Sequence, residues 1–362
     1  MIKVLHFFPK DNRTVAQYVE TLCNAMGSYA DVHASCELKD FINKLRDKRP
    51  DIVHLHGCWR MANWVAARKA AVHGARIVLS PHGGLEPWVV RQHYWSRKLP
   101  QLTLYQRRIV KRAAAVIVMG RMEKGCLERL DYTHKIETVL NSLVTCALTD
   151  GQMAAATLAV YRKVLDSNVW PLMAEETKVA TRALIKAGIT GDARWLDNDE
   201  AASVHSLAAD ERRKVALYAY QEGVLDTVTR GFTVTECPLP ETDPATVPHY
   251  PNSSGTADSL VAQDGGDINA RIVAALRSAR KLYRTGKLSV RHVVELDLLL
   301  RSGETAEDTV AETLREKRLL PFAGRMMAAM NRLTGLTEGL MPVAMRDGRK
   351  AENIIKRITQ KP

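Results

Sequence analysis

Residues 51–87 read DIVHLHGCWRMANWVAARKAAVHGARIVLSPHGGLEP, and this stretch decides the fold. Residues 51–55 form a short run rich in Ile and Val that ends in His56-Gly57. Residues 61–71 have the small and apolar spacing of a helix packed on a sheet. Residues 76–79 are again strand-like and run into Ser80-Pro81-His82-Gly83-Gly84. Strand, helix and strand at this length predict a right-handed βαβ unit. Open α/β sheets bind ligands outside the carboxyl ends of their strands. Both His-Gly turns fall there, so their polar groups are placed for chemistry.

Outward from this unit, residues 1–146 alternate strand and helix. Residues 2–8 read as a strand, and residues 14–26 as a helix with Val15, Tyr18, Val19 and Leu22 on one face. Residues 38–46 form another amphipathic helix that Pro50 closes. After the second His-Gly turn comes a basic helical stretch, expected to break at Pro100, then a strand at 113–119, a short helix at 123–130 and a strand at 135–140. This alternation predicts an α/β, Rossmann-like, doubly wound parallel sheet. Residues 150–233 change character, with apolar residues recurring at three and four, and helices are predicted at 153–165, 173–187 and 209–229. Residues 237–266 carry Pro238, Pro240, Pro244, Pro248 and Pro251 among Ser, Thr, Asp and Gly, a composition expected of a mobile linker or long loop. Beyond residue 268 the pattern is helical again. The expected organisation is therefore 1–148 (sheet domain), 149–234 (helical), 235–267 (linker or long loop) and 268–362 (basic and helical).

A chain of 362 residues exceeds the usual single-domain size. No run approaches the ~18 apolar residues of a spanning helix, and residues 1–10 read as a buried strand rather than a secretory signal. The six cysteines lack CxxC spacing, which argues against a zinc site or disulfide framework and fits a reducing cytoplasm. The net charge of +12 is uneven: residues 271–362 hold 19 Lys/Arg against 10 Asp/Glu. A second basic concentration at residues 91–112 contains Arg91, Arg97, Lys98, Arg107, Arg108, Lys111 and Arg112, with Trp88, Tyr94, Trp95 and Tyr105 beside or among them. Charge runs are usually solvated faces. The functional alternative is a surface for an anionic membrane at its inner face, or for a phosphorylated acceptor. No motif points to nucleic acid.

Four segments in order give the N-terminal part a family resemblance. Pro50-Asp51-Ile52-Val53-His54-Leu55-His56-Gly57, followed by Trp59, is similar to the "PDIVHxHG" strand of glycosyltransferase family 4. Ser80-Pro81-His82-Gly83-Gly84-Leu85-Glu86-Pro87-Trp88 resembles the family's "SPHGxLxPW" turn. Residues 113–119 followed by Glu123 resemble its strand-turn-Glu segment, and residues 139–144, with Asn141, a degraded "PNGID" hinge strand. The resemblance covers roughly residues 1–146 and implies one half of the two-domain GT-B fold. It implies transfer from a nucleotide sugar to a lipid-linked or saccharide acceptor, with retention, without a metal, and with no resident cofactor.

On this resemblance His82 is the candidate catalytic residue, since an imidazole donates to a sugar hydroxyl or stabilises developing charge near neutral pH. The candidate substrate-binding residues are His56, Gly57, Trp59, Gly83, Gly84, Glu86, Trp88, Glu123 and Asn141. Backbone amides of Gly83 and Gly84 can approach a ligand closely, and Trp59 and Trp88 offer an apolar wall to a sugar ring. His54, deeper in its strand, reads as a core histidine.

Departures from the family are equally specific. The Gly-Gly turn expected after the first strand reads Pro9-Lys10-Asp11-Asn12-Arg13-Thr14, where Asn12 or Thr14 suits a helix cap and Lys10 or Arg13 a phosphate. After residue 150 neither the "GRL…KG" segment nor the "EGFGxxxxEA" loop of the nucleotide-binding domain is found. Phosphate partners would have to come from residues such as Arg271, Arg277, Arg280 and Lys281. The runner-up reading is a noncatalytic relative, serving as a subunit or regulator of a glycan-assembly complex through a protein partner.

Overall fold

The computed structural model describes residues 1–250, 259–260 and 267–359. It divides into two compact units, Met1–Leu165 and Asp166–Pro362.

The N-terminal unit is built on a parallel sheet of six strands: β1 (Ile2–Phe7), β2 (Ala30–Ser35), β3 (Ile52–His56), β4 (Arg76–Ser80), β5 (Ala115–Val118) and β6 (Ile136–Thr138). The spatial order is β2-β1-β3-β4-β5-β6. Helices α1 (Arg13–Met26), α2 (Leu38–Lys48), α3 (Met61–Val72), α4 (Pro87–Arg91), α5 (Leu99–Gln101), α6 (Arg107–Arg112), α7 (Arg121–Leu130) and α8 (Asp150–Asp166) connect or follow the strands. Successive side chains on a strand face opposite ways. Leu5, Phe7, Val53, Leu55, Ile77 and Leu79 accordingly join one apolar cluster with Phe41 and Leu45 of α2 and Ala66 and Ala70 of α3. The alternate positions His6, His54 and His56 turn to the other face, where Tyr18 of α1 and Tyr161 of α8 meet them.

Three differences from the sequence reading have physical causes. Strand β2, Ala-Asp-Val-His-Ala-Ser, was not anticipated: it lies at the sheet edge, pairs only with β1, and needs no apolar run. The helical stretch does not break at Pro100. Widened π turns at Tyr94–Lys98 and Leu102–Gln106 flank α5, and wider turns accommodate a residue that lacks its N–H. The helix expected at 209–229 is two helices, because Gly223 adopts φ 70 at the cap of the first.

The regular structure among the described residues of the C-terminal unit is helical: α9 (Glu175–Thr190), α10 (Asn198–His205), α11 (Ala209–Glu222), α12 (Leu225–Val234), α13 (Ile268–Thr285), α14 (Val290–Arg301), α15 (Glu307–Glu316), α16 (Leu320–Thr334) and α17 (Arg349–Thr359). Helices α9 and α12 touch backbone to backbone. A Cβ at Gly188 would lie 1.8 Å from Thr227 O, and one at Gly231 would lie 2.1 Å from Leu184 O. Of the proline-rich stretch, residues 251–258 and 261–266 lie outside the described residues. Its described part seats Cys237, Val247, Tyr250 and Leu260 in buried positions, so the prolines there border packed chain. No helix among the described residues is long and apolar enough to cross a membrane.

Candidate functional site

The strand order reverses direction between β1 and β3, and in open α/β sheets ligands bind at that switch, outside the carboxyl ends of the strands. His6 is the penultimate residue of β1, His56 the last of β3, and His82 stands two residues past the end of β4. The parallel register sets His6 beside His54 and His56 beside Ser80, which gathers four histidines from three chain segments. Nδ1 of His6 lies 2.9 Å from Nε2 of His56, and Nδ1 of His56 lies 2.8 Å from Nε2 of His82. Tyr18 meets the rings of His56 and His82 edge-on at 5.9 and 5.0 Å. His54 stands apart from this chain: its nitrogens bond Tyr161 Oη and Ser80 Oγ, each at 2.7 Å. It is a satisfied core histidine.

Burial keeps these rings neutral. It pushes His6 down to about 3 and His82 down to about 4. His54 and His56 lie well below the ordinary histidine value, first because they are desolvated and then because the other imidazoles would repel a second charge. Neutral imidazoles are also metal ligands, and one nitrogen from each of His6, His54 and His56 lies within 4.8 Å of the others. Their hydrogen bonds already engage every nitrogen of His54 and His56, and one of His6. A cation would have to displace those bonds.

Two interlocked turns hold His82. Gly57 N donates to Ser80 O at 2.8 Å, and Asn63 of α3 closes the end of β3 by donating to His56 O and Gly57 O. Trp59 Nε1 donates to Gly84 O at 2.6 Å. Gly84 itself admits no side chain: a Cβ would meet Pro81 O at 2.9 Å and Cys58 Cβ at 3.0 Å. Trp59 and His82 both sit in the left-handed region, at φ 63 and φ 52, which costs an L-residue roughly 1–2 kcal/mol each. Strain of this kind persists where surrounding contacts enforce it, and it collects at ligand sites. Below the second turn Glu123 accepts from Leu85 N at 3.3 Å, and burial raises its carboxyl to about 7, partly offset by backbone amides.

The remaining candidates are placed as follows. His56, Gly57, Trp59, His82, Gly83 and Gly84 come together in the two turns, and Glu86 and Glu123 adjoin the second. Trp59 is not a free wall: Gln106 and Tyr105 hold its backbone, and Lys98 Nζ covers its ring at 4.2 Å. Trp88 is 51% exposed on α4. Asn141 turns inward to accept from Leu143 N at 3.0 Å, shaping its own loop. At the departed glycine turn, Asn12 caps α1 by accepting from Val15 N, while Lys10 pairs with Glu37 and Asp11 with Arg60. A cavity of about 320 Å³ opens there, lined by Phe7, Lys10, Asp11, Cys36, Arg60 and Asn63 among others. In the C-terminal unit Arg277, Arg280 and Lys281 join Arg284 and Lys317 around a concavity of about 630 Å³ without a lining carboxylate. His6, Tyr18, Asn63 and Gln106 were not anticipated. The one signal available was a lone histidine inside the apolar strand VLHFF.

Residues 15–141 match the glycosyl transferase 4-like domain family. The N-terminal part of the chain thus carries a glycosyl transferase 4-like domain, its sheet compatible with one half of a GT-B fold. No curated protein and no solved structure matches the chain.

Proposed function

We propose that the chain transfers a sugar from a nucleotide-sugar donor to a lipid-linked or saccharide acceptor, with His82 as the residue that contacts the reacting sugar. The observation that carries this reading is the strained turn: it holds a neutral imidazole past the carboxyl end of β4, tied to His56 of β3 beside the switch point and backed by Gly84. Fixed dipoles aimed at developing charge are the main resource of a metal-free transfer. The cationic concavity around Arg277, Arg280 and Lys281 is the part of the C-terminal unit best suited to a diphosphate. The surface near residues 88–108 suits an acceptor held at an anionic membrane: Trp88, Trp95 and Leu104 are 51, 80 and 61% exposed, among exposed Arg91, Arg97, Arg107 and Arg108.

One observation favours a second reading. Among the described residues no strand follows Thr138, so the C-terminal unit offers no sheet edge of the kind that holds a nucleotide in GT-B enzymes. A noncatalytic subunit of a glycan-assembly complex accounts for that.

A thermal-shift screen against UDP, GDP, ADP and their sugars separates the two. Ligand at about a hundred times its dissociation constant stabilises by roughly 2.7 kcal/mol, a shift of a few degrees. A shift with one nucleotide, followed by sugar transfer that His82→Ala abolishes at unchanged Tm, supports the enzyme. No shift with any nucleotide sinks it in favour of the subunit.

A further inference from the structure

The chain of rings from His6 through His56 to His82 limits how protons can be arranged, and the limit reaches the candidate site. Each ring is neutral and carries one proton on nitrogen. Each nitrogen–nitrogen hydrogen bond holds one proton, so two of the three protons lie inside the chain. The third sits at one end: on Nε2 of His6 or on Nδ1 of His82. Nε2 of His6 is fully buried and has no hydrogen-bond partner. Nδ1 of His82 belongs to the one ring of the three that reaches solvent. An orphaned buried N–H is rarer and costlier than an orphaned acceptor, so the third proton belongs at the His82 end.

We propose that His6 and His56 are positioning residues that lock His82 in its Nδ1–H tautomer, so that His82 meets its ligand as a neutral hydrogen-bond donor rather than as a base. In this arrangement His6 Nδ1–H donates to His56 Nε2, His56 Nδ1–H donates to His82 Nε2, and His82 Nδ1–H faces out. The ligand atom it selects is an oxygen with a free lone pair, as in a sugar hydroxyl or a phosphoryl group. A neutral imidazole donor of this kind stabilises negative charge developing on oxygen without itself transferring a proton. Accepting a proton at His82 would require either two N–H groups face to face at His56 or a shift of all three rings that leaves an N–H buried at His6. The same count argues against the cluster as a metal centre, since a cation would need nitrogens that this chain already uses.

The inference rests on reading His82 as the ligand-facing residue, but its test does not depend on turnover. The full chain, isotope-labelled at the histidine ring nitrogens, is examined by long-range proton–nitrogen correlation at mildly alkaline pH. His6→Gln, His56→Gln and His82→Gln assign the signals. The expected spectrum gives His6, His56 and His82 a pyrrole-type Nδ1 and a pyridine-type Nε2, with nitrogen–nitrogen coupling across both hydrogen bonds. His82 with its proton on Nε2, loss of the couplings, or a stoichiometric metal in elemental analysis would each overturn the lock. If the tautomer is as stated but no sugar transfer or nucleotide binding is found, the enzyme reading fails and the lock stands. If transfer occurs with His82 in the other tautomer, the lock alone fails.

Discussion

Both units bury titratable side chains, and they satisfy them in opposite ways. In the C-terminal unit the buried Asp297 is held by Arg301 and Thr334, and the buried Glu222 accepts from Val290 N at the start of α14. His292 lies in a capping box with Ser289. Each of these three has a partner of opposite charge or lies at a helix end, as expected of polar groups that serve the fold, and the buried hydroxyl of Tyr218, which has no hydrogen-bond partner, is an exception. In the N-terminal unit three fully buried histidines and the half-buried His82 turn to one another and to hydroxyls, and one ring nitrogen has no partner. Like groups packed together give a fold little. Their position at the ends of β1, β3 and β4 is what a ligand site requires. On the proposed reading of the site, this difference separates groups that serve the fold from groups that serve a ligand.

The largest effect that would break this contrast is acid unfolding of the N-terminal unit alone. A histidine whose folded value is depressed contributes stability above its unfolded value near 6.5, and loses it as pH falls toward the folded value. For His6 at about 3 and His82 at about 4 the window opens below pH 6.5. At about pH 5 the loss is roughly 2 kcal/mol per ring, and roughly 8 as an upper bound for the four. Glu123 works in the other sense. Its raised value means stability present at low pH and lost as pH rises through about 7. Acidification from neutrality therefore restores roughly 2–3 kcal/mol through it. The net expectation is loss of N-terminal structure near pH 5 while the helical unit persists, followed by far- and near-UV circular dichroism. A single transition shared by both units would erase the distinction.

Next in size is a packing test in the C-terminal unit. Gly188→Ala forces a methyl to within 1.8 Å of Thr227 O, where α9 and α12 meet. Backbone must move, and a cost of ~3 kcal/mol or more in urea denaturation is expected. The N-terminal unit should keep its signal. A change under ~1 kcal/mol would show that these helices separate easily and are not the rigid part of the unit. The corresponding site test, Gly84→Ala, is expected to cost ~1–3 kcal/mol, because Pro81 O and Cys58 stand at 2.9 and 3.0 Å. It should also displace His82, so ligand binding should fall by more than stability does. Loss of stability with binding intact would separate the two turns from the site.

Much of this contrast was legible in the sequence, and the missing parts have reasons. The βαβ unit at 51–80 showed in its apolar periodicity, and the helical second half in its spacing of three and four. Strand β2 did not show, because an edge strand reading ADVHAS carries no apolar run. His82 and His56 were singled out through their turns, and the structure sets their ring nitrogens 2.8 Å apart. His6 was not, because nothing local in VLHFF states that β1 will pair with β3 and bring residue 6 against residue 56. Parallel pairing is a long-range fact. A histidine in a strand becomes part of a site only once the register is known.

The smallest effect sharpens the contrast at the level of one dihedral. Asp131 caps α7 with φ 48, as Arg49 caps α2 with φ 46, and His82 holds φ 52 in its turn. Glycine relieves that conformation in all three places. At a helix end the relief of strain outweighs the exposed contact that Asp131 makes with His134, so Asp131→Gly is expected to stabilise by roughly 0.5 kcal/mol, a small upward shift in Tm. At His82 the relief is the same but the bond to His56 and the outward donor are lost. His82→Gly should therefore leave Tm within a degree or two of wild type while removing ligand binding. If both variants raise Tm equally and binding survives in both, His82 is a strained cap like the others. If only the Asp131 variant is harmless, the strain at residue 82 is maintained for the imidazole it presents.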